Sequence, residues 1–271
     1  MKLTILVDNF VTAAKVGLLG EWGYSALLET PAGALLIDTG ASGRVLLNNM
    51  KVLGHDPAKL SCLALSHGHD DHTGGLTALL EAAPQVRGKV YASPFATRER
   101  LEGESLRPAG GLALREVSFL SVEGRVEILP DVWAFDVPPA GRNASYVTRG
   151  HMFERGEDGE VRPDTFADDL SFLVRGERGW SLLLGCAHAA LPNIVTRVAE
   201  LFGLDEFDTI AGGTHMKSLE PWELAQWTSV MSEWPVQRWR LNHCTGFRPA
   251  ARIAQIHADA DWAGVGTTLE I

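Results

Sequence analysis

The most informative stretch of the sequence reads Ser66-His67-Gly68-His69-Asp70-Asp71-His72-Thr73-Gly74-Gly75. It places four side chains that bind metal ions within six residues. The first pair, His67 and His69, can point the same way from an extended segment and bind one ion. The second pair, Asp71 and His72, can bind another ion across the turn. Imidazole and carboxylate together suit zinc. The alternative is a polar loop with incidental histidines, but such a dense cluster favours a metal site.

The chain around this motif alternates between short apolar strands and helices. A wholly apolar strand at 60–65 leads into the motif, and a helix at 76–83 follows it. The other predicted strands are 3–7, 25–29, 34–37, 126–129, 132–137, 171–174, 181–184, 208–210, 236–241 and 266–271. The other predicted helices are 43–53, 190–202, 222–234 and 248–258. This pattern predicts an α/β sandwich in a single domain over residues 1–271. The stretch 148–165, rich in glycine and charge, is predicted to be a surface loop.

The composition limits the kinds of partner. The chain has 271 residues, with 24 basic and 34 acidic side chains and a net charge of −10. That charge opposes a large contact with the phosphate backbone of a nucleic acid. No uninterrupted apolar stretch approaches the length of a membrane span. Three cysteines do not make a disulfide framework, so a reducing cytoplasm is expected. We therefore expect a small-molecule substrate, with no nucleic acid and no membrane as partner, and the oligomeric state stays open.

Four ligands do not complete two metal sites, so distant residues are expected to return to the motif. Three histidines each follow an apolar strand: His188, His215 and His243. We expect His188 to join the first pair around one ion and His243 to join the second pair around the other. His215 is expected to act as a ligand, as an acid, or as a contact to a substrate oxygen.

Other side chains near the strand ends are alternatives for completing the ligand set. Cys186 or Cys244 can bind a metal as a thiolate. Asp168 and Asp169 lie just before a strand and offer a carboxylate that can bridge two ions. The remaining histidines lack such a position and are interpreted as structural: His55, His151 and His257.

The motif resembles the signature of the metallo-β-lactamase superfamily, and the resemblance covers nearly the whole chain. It implies an αββα sandwich, a four-layer fold with the site at one edge of its two sheets. The segment Ile37-Asp38-Thr39-Gly40 lies upstream at the spacing that the superfamily shows. There, Asp38 would accept a hydrogen bond from a ligand imidazole and fix its tautomer. Diiron members usually have Glu where this chain has His69, so we expect zinc, with manganese or iron as alternatives.

The flanking segments carry a narrower resemblance. They read Val7-Asp8-Asn9, Glu21-x-Gly23-Tyr24-Ser25, Gly185-Cys186-Ala187-His188, Gly212-Gly213-x-His215 and His243-Cys244-Thr245-Gly246. They are similar to the 7,8-dihydropterin-6-methyl-4-(β-D-ribofuranosyl)aminobenzene-5'-phosphate synthase-like proteins, which implies a pterin-related substrate. Two positions depart from that branch: Trp22 stands where it often has His, and Ala190 replaces a common Gly. Asp8 and Glu21 are expected to face the pocket or to cap loops.

Together these features predict a dinuclear zinc hydrolase that activates a bridging water. The substrate would be a small ester, lactone, thioester or phosphate-containing molecule. Asp71 would orient the hydroxide, and His215 would hold the developing oxyanion. The alternatives are a metal-dependent oxidoreductase and a non-catalytic metal-binding sensor of the same fold. Trp22 or Trp222 can stack on a planar ring or pack in the core. Several cations can bind a substrate phosphate or stay on the solvated surface: Arg142, Arg149, Arg155, Lys217 and Arg248.

Overall fold

The computed structural model describes residues 1–146, 151–156 and 158–271. Its strands are β1 (Lys2–Val7), β2 (Ser25–Thr30), β3 (Gly33–Ile37), β4 (Cys62–Ala64), β5 (Val90–Ala92), β6 (Glu99–Glu102), β7 (Arg107–Gly110), β8 (Leu120–Ser121), β9 (Arg125–Leu129), β10 (Val132–Asp136), β11 (Met152–Arg155), β12 (Val161–Pro163), β13 (Leu170–Gly176), β14 (Gly179–Leu184), β15 (Phe207–Gly212), β16 (Val236–Leu241), β17 (Ala260–Trp262) and β18 (Thr268–Glu270). Its α-helices are α1 (Gly43–Leu53), α2 (Asp70–Thr73), α3 (Leu76–Ala82), α4 (Leu191–Phe202), α5 (Pro221–Met231) and α6 (Phe247–Ile256). Over these residues, no helix is both long enough and apolar enough to cross a lipid bilayer.

Two seven-stranded sheets share one apolar core. The first has the order β18-β1-β2-β3-β4-β5-β8, and the second has the order β17-β16-β15-β14-β13-β10-β9. Leu28 of β2 and Ile37 of β3 lie in one buried cluster with Phe172 of β13 and Leu183 of β14. The inner faces of the two sheets therefore pack against each other.

Each central strand also contributes side chains to an outer apolar layer, because successive side chains of a strand point to opposite faces. In β3, Leu35 and Ile37 face the core between the sheets, whereas Leu36 packs with side chains of α1 and α3. The outer face of the second sheet packs in the same way against α4, α5 and α6. The layers run helix, sheet, sheet, helix, and the predicted αββα sandwich is confirmed.

Two helix boundaries follow from local backbone preferences. Helix α1 has its predicted bounds because Ser42 accepts a hydrogen bond from the backbone N–H of Val45. Gly54 then ends it at φ 86°, a left-handed conformation that glycine adopts without steric cost. Helix α4 begins after Ala190, whose φ of 71° is also left-handed. Alanine is disfavoured there relative to glycine, so this turn carries strain.

A third sheet of four strands, in the order β12-β11-β6-β7, lies beside the histidine-rich motif. It touches the motif directly, because Gly110 of β7 forms an isolated bridge with His69. The prediction of a loop over 148–165 is therefore wrong for 152–155 and 161–163, since β11 pairs with both β12 and β6. The charges that suggested a loop are paired across strands, as in Arg155 with Glu99 at 2.9 Å. Residues 147–150 and 157 lie outside the described part.

The strands bring distant loops to one edge of the sandwich. β3 and β4 are parallel neighbours in the first sheet, and β14, β15 and β16 are parallel neighbours in the second. Within each sheet, the loops that follow parallel strands leave on the same side. These loops carry Asp38, the segment 66–75, the segment 185–188, His215 and His243.

Candidate metal centre

The motif leaves β4 as an extended loop and then forms the single helical turn α2. Gly68 lies close to a neighbouring backbone segment, since a Cβ atom added there would lie 2.3 Å from the carbonyl oxygen of Ala96. Its N–H donates to Asp168 Oδ2 at 2.8 Å, and its carbonyl accepts from the N–H of Gly111 at 2.8 Å. A glycine at this position therefore allows the third sheet to hold the loop between the first two histidines.

His67, His69 and His188 form the first trio. One ring nitrogen of each lies within 4.8 Å of the others, and all three side chains are buried. Nε2 of His67, Nε2 of His69 and both ring nitrogens of His188 have no hydrogen-bond partner. The structure thus places His188 beside the first pair, where the sequence predicted it.

Asp71, His72 and His243 form the second trio, again with ligand atoms within 4.8 Å of one another. Nε2 of His72 lies 3.2 Å from Nε2 of His243, and the latter lies 3.3 Å from Asp71 Oδ2. The two imidazoles are fully buried, whereas the Asp71 side chain is 24% exposed. Asp71 is therefore the most exposed member of this trio.

Two aspartates accept hydrogen bonds from residues of the second trio. Asp38 Oδ2 accepts from His72 Nδ1 at 2.7 Å and from Ser66 Oγ at 2.6 Å. Because a carboxylate accepts only, His72 must carry a proton on Nδ1, so Nε2 is the atom that can bind a metal once its own proton is lost. Asp8 accepts from the backbone N–H of His243 at 2.7 Å. Asp38 thus has the contact that the resemblance implied, and Asp8 anchors a loop.

Other partners could not be singled out from the sequence. The hydroxyl of Ser66 lies 2.8 Å from His67 Nδ1, and Asn9 Oδ1 lies 3.1 Å from His243 Nδ1. Their only signal was their position within a quoted segment. Glu21 accepts from the N–H and hydroxyl of Ser42, which is the loop-capping alternative.

Cys186 lies between the two trios. Its sulfur is 3.1 Å from His72 Nε2, and it groups both with His67 and His72 and with His243 and Cys244. Burial raises the pKa of the Cys186 thiol, whereas the contact with Cys186, together with His243, lowers the pKa of the Cys244 thiol to about 7 despite its burial. Among the thiols and carboxylates that were considered as further metal ligands from the sequence, the two thiols are thus the ones that lie close to the imidazoles.

The two carboxylates considered as a bridge lie elsewhere. Asp168 pairs with Arg100, Oδ1 to Nη2, at 2.9 Å. Asp169 Oδ2 accepts from the backbone N–H of Ala189 at 2.9 Å, and burial raises the pKa of its carboxyl to about 6. Neither belongs to a group of metal-binding side chains in the described part of the chain.

His215 lies against the first trio without joining either trio. Its ring centroid is 4.3 Å from that of His188. Burial is the main cause that lowers the pKa of His215 to about 3, so its imidazole is neutral at pH 7. A neutral imidazole beside the trios can donate a hydrogen bond to an oxyanion, and this role of His215 stays a prediction.

Members of both trios line one pocket of about 730 Å³: His69 and His188 of the first, and Asp71 and His243 of the second. Trp22 and Lys217 line another part of it, and Glu102 and His151 of the third-sheet region also contribute. His151, interpreted as structural from the sequence, therefore faces this pocket. The sequence missed it because it lies next to a short, charged strand rather than after an apolar one.

The donor set fits metal ions. Burial is the main cause that holds the pKa of His67 and His188 well below the ordinary value, so both rings offer neutral lone pairs. Each unsatisfied buried nitrogen costs about 1–3 kcal/mol, and a bound cation would remove that cost. Burial lowers the pKa of His72, but Asp71 and Asp38 raise it by more, to about 9. Metal binding at the second trio would thus release a proton.

Comparison with known proteins agrees with this arrangement. A family model for the metallo-beta-lactamase superfamily matches residues 23–198. The 7,8-dihydropterin-6-methyl-4-(beta-D-ribofuranosyl)-aminobenzene-5'-phosphate synthase of Methanocaldococcus jannaschii is 23% identical over 247 residues, 84% of this chain and 82% of that protein. The uncharacterized protein MJ0448 of the same organism is 26% identical over 261 residues, 94% of each protein.

A solved structure matches along the whole chain. The crystal structure of Tm1679, a metal-dependent hydrolase of the beta-lactamase superfamily, is 28% identical and has a TM-score of 0.81. The match covers 100% of this chain and 99% of that one. The resemblances drawn from the motif and its flanking segments are therefore confirmed. The chain belongs to the metallo-beta-lactamase superfamily and is a metal-dependent hydrolase of that superfamily.

Proposed function

We propose that the protein hydrolyses a small ester, lactone, thioester or phosphate-containing substrate with two metal ions, which are zinc in the native protein. The observation that carries this proposal is the pair of neighbouring trios, each of which contributes two residues to the lining of a single pocket. The first trio would hold one ion and the second trio the other. The thiol of Cys186, placed between them, and the imidazole of His69 both favour zinc over iron.

Two zinc ions bound there would lower the pKa of a water molecule towards neutrality and polarise the oxygen under attack. The protein's own groups orient the reactants. His72 and His243 keep the pKa of Asp71 well below its usual range despite burial, so this carboxylate acts as a hydrogen-bond acceptor that orients the attacking water. The neutral imidazole of His215 donates to the developing oxyanion.

The size of the pocket supports a small-molecule substrate. Its volume of about 730 Å³ lies within the range of pockets that enclose molecules of drug or cofactor size. A pterin-related substrate is the narrower candidate, because the Methanocaldococcus jannaschii synthase is similar over 84% of this chain. Trp22, 47% exposed and in the pocket lining, provides an aromatic surface for such a molecule.

Metal analysis and a substrate panel test the proposal. The purified protein is expected to contain two equivalents of zinc and to hydrolyse at least one of four probes: 4-nitrophenyl acetate, a γ-lactone, an acyl thioester or bis(4-nitrophenyl) phosphate. Asp71→Asn is expected to lose about 100-fold or more in kcat, as expected when a group that acts in the transition state is removed. Asp205→Asn is the control, because Asp205 is an exposed carboxylate outside both trios and outside the pocket lining.

Three results would contradict the proposal. The first is a protein that binds no transition metal. The second is an Asp71→Asn variant that keeps full turnover. The third is tight iron binding with a redox-active spectrum and no hydrolysis, which would favour the oxidoreductase alternative.

A further inference from the structure

Two of the three cysteines lie side by side at the candidate metal centre. The sulfur atoms of Cys186 and Cys244 are within 4.8 Å of each other and of a ring nitrogen of His243. Both thiols are free, and both residues contribute to the pocket lining. The third cysteine, Cys62, lies on β4 in the core between the two large sheets. The fold thus separates a thiol pair in the pocket lining from a single thiol in the core.

A glycine allows the two sulfur atoms to approach each other. Cys186 follows β14 and Cys244 follows β16, and β15 lies between these strands in the sheet. Strands that flank a third strand are about 10 Å apart, so a residue between them would normally keep their side chains separate. The residue between them here is Gly213, where an added Cβ atom would lie 2.6 Å from Cys244 Sγ and 3.6 Å from Cys186 Cα. The sulfur of Cys244 therefore occupies the space that a side chain at this position would fill.

Hydrogen bonds hold the loops of the thiol pair in place. The N–H of Gly213 donates to the carbonyl of Gly185 at 3.1 Å, and the Cys244 thiol lies 3.6 Å from the carbonyl oxygen of Cys186. The backbone N–H of His215 points at the Cys244 sulfur at 3.3 Å. A donor in that position favours the thiolate over the thiol. Cys244 is thus the member of the pair that is arranged to act as a nucleophile.

We propose that Cys186 and Cys244 form a reversible disulfide when the metal-free protein meets a hydroperoxide, and that this bond withholds the Cys186 thiolate from the metal centre. The two sulfur atoms are already within 4.8 Å, and an S–S bond is about 2.0 Å long. Side-chain movements of about 3 Å in total are therefore enough to form it. The disulfide is independent of the substrate that the protein hydrolyses.

The oxidation proceeds in two balanced steps. The Cys244 thiolate attacks one oxygen of the peroxide, the O–O bond breaks, and the hydroxide that leaves takes up a proton to become water. Cys244 is then a sulfenic acid. The Cys186 thiol attacks that sulfur, the S–O bond breaks, and a second water molecule leaves with the thiol proton. In sum, two thiols lose two electrons and one peroxide is reduced to two water molecules.

The disulfide and a metal ion compete for the same sulfur atom. Cys186 Sγ lies 3.1 Å from Nε2 of His72, a member of the second trio. A thiolate at that place can bind an ion, whereas a disulfide sulfur lacks the negative charge that makes a thiolate a good ligand. A bound zinc ion would conversely hold the thiolate and slow its reaction with peroxide. The metal-free protein is therefore the form that is oxidised.

Thiol mapping on the whole protein tests the proposal. Chelator-treated and zinc-loaded samples are exposed to hydrogen peroxide, free thiols are alkylated with iodoacetamide, and peptides are assigned by mass spectrometry. Metal-free wild type is expected to lose two hydrogen atoms, to join the peptides of Cys186 and Cys244, and to keep only Cys62 for alkylation. Dithiothreitol should restore all three thiols. Cys244→Ala and Cys186→Ala should each form no intramolecular disulfide, whereas Cys62→Ala, the matched control, should form it as wild type does.

Zinc uptake, measured by chelator competition, tests the consequence of the disulfide. The oxidised wild type is expected to take up about one equivalent of zinc fewer than the reduced protein, because one thiolate ligand is lost. Sulfinic or sulfonic acid on one cysteine, with the other thiol still alkylated, would overturn the proposal. Full zinc uptake by the disulfide form, or equal oxidation with and without zinc, would overturn the competition with metal. These readouts need no turnover, so they remain decisive even if the proposed hydrolysis fails.

Discussion

Arg100 is a buried cation whose removal gives a sharp test of how the third sheet supports the metal-binding loop. It lies on β6 with its side chain 1% exposed. Its Nε is 3.0 Å from Asp164 Oδ2, and its Nη2 is 2.9 Å from Asp168 Oδ1. Asp168 accepts in turn from the N–H of Gly68. Asp164 Oδ2 also lies 3.8 Å from His69 Nε2. Arg100 thus connects a strand of the third sheet to the loop of the first trio.

Replacement of Arg100 by Met keeps much of the side-chain length and removes the charge. Asp164 and Asp168 would then stay buried without their cation. Removing one partner of a buried ion pair costs about 3–5 kcal/mol, because the remaining charge is uncompensated. Arg98→Met is the matched control: Arg98 pairs with Glu154 at the edge of the same network, and its side chain is 35% exposed. Glu154 is only 5% exposed, but without Arg98 it still has Arg100 Nη1 at 3.8 Å, so the loss should stay close to the range of about 0–1 kcal/mol for exposed pairs.

Urea denaturation of the metal-free proteins at pH 7 measures the difference. We expect the free energy of unfolding of Arg100→Met to lie at least 2 kcal/mol below that of Arg98→Met, which is roughly the gap between those two ranges. Adding Asp168→Asn to Arg100→Met should restore part of the loss, because it removes one of the uncompensated charges. If both single variants lose the same stability, or if the double variant is less stable than Arg100→Met, the account of this network is wrong.

Three further predictions concern the trios and their surroundings. Asp38→Asn removes the carboxylate that fixes the tautomer of His72, so the affinity for the second of two metal ions should fall about 10–100-fold in chelator competition; unchanged affinity would mean that Asp38 does not orient the ring. Cys186→Ala should remove the sulfur-to-metal charge-transfer absorption of the cobalt-substituted protein, and a spectrum identical to that of wild type would exclude the thiolate as a ligand. His215 has a folded pKa of about 3 against an ordinary value of 6.5, so between these values the unfolded chain binds the extra proton. The contribution of His215 to the free energy of unfolding is therefore complete above pH 6.5. It is lost by up to about 1.4 kcal/mol per pH unit as pH falls towards 3. In urea denaturation of the metal-free protein, His215→Asn should make the free energy of unfolding less dependent on pH in this range.

The elements that could be predicted are those whose signal lies within a short stretch of sequence. Helix α1 is bounded by a capping Ser42 and a Gly54 that ends it. The central strands are continuous apolar runs because both of their faces are buried. The third sheet has neither kind of signal. Each of its strands has at most four residues, and all four strands contain charged residues. Those strands depend on pairing with each other over a long sequence separation, which local patterns do not show.

The same distinction applies to the site. His188 and His243 were predictable because each follows a strong apolar strand, and parallel strands bring such positions to one edge. Arg100 was not, because an arginine in a short charged strand normally lies in solvent. From the sequence, Asp168 was an alternative for a bridging ligand. In the structure it is buried and pairs with that arginine instead. A buried ion pair between distant segments leaves no periodic trace in the sequence.

The charges around the trios couple metal binding to anion binding. Without ions, Asp38 and Asp71 place negative charge at the second trio. Two divalent ions would reverse the sign of the local field. We therefore expect metal-free protein to bind a small dicarboxylate such as succinate about tenfold more weakly than zinc-loaded protein. Calorimetry on chelator-treated and reconstituted samples measures this difference. Equal succinate affinity in the two samples would show that the charge of the trios and their ions does not act on an anion in the pocket.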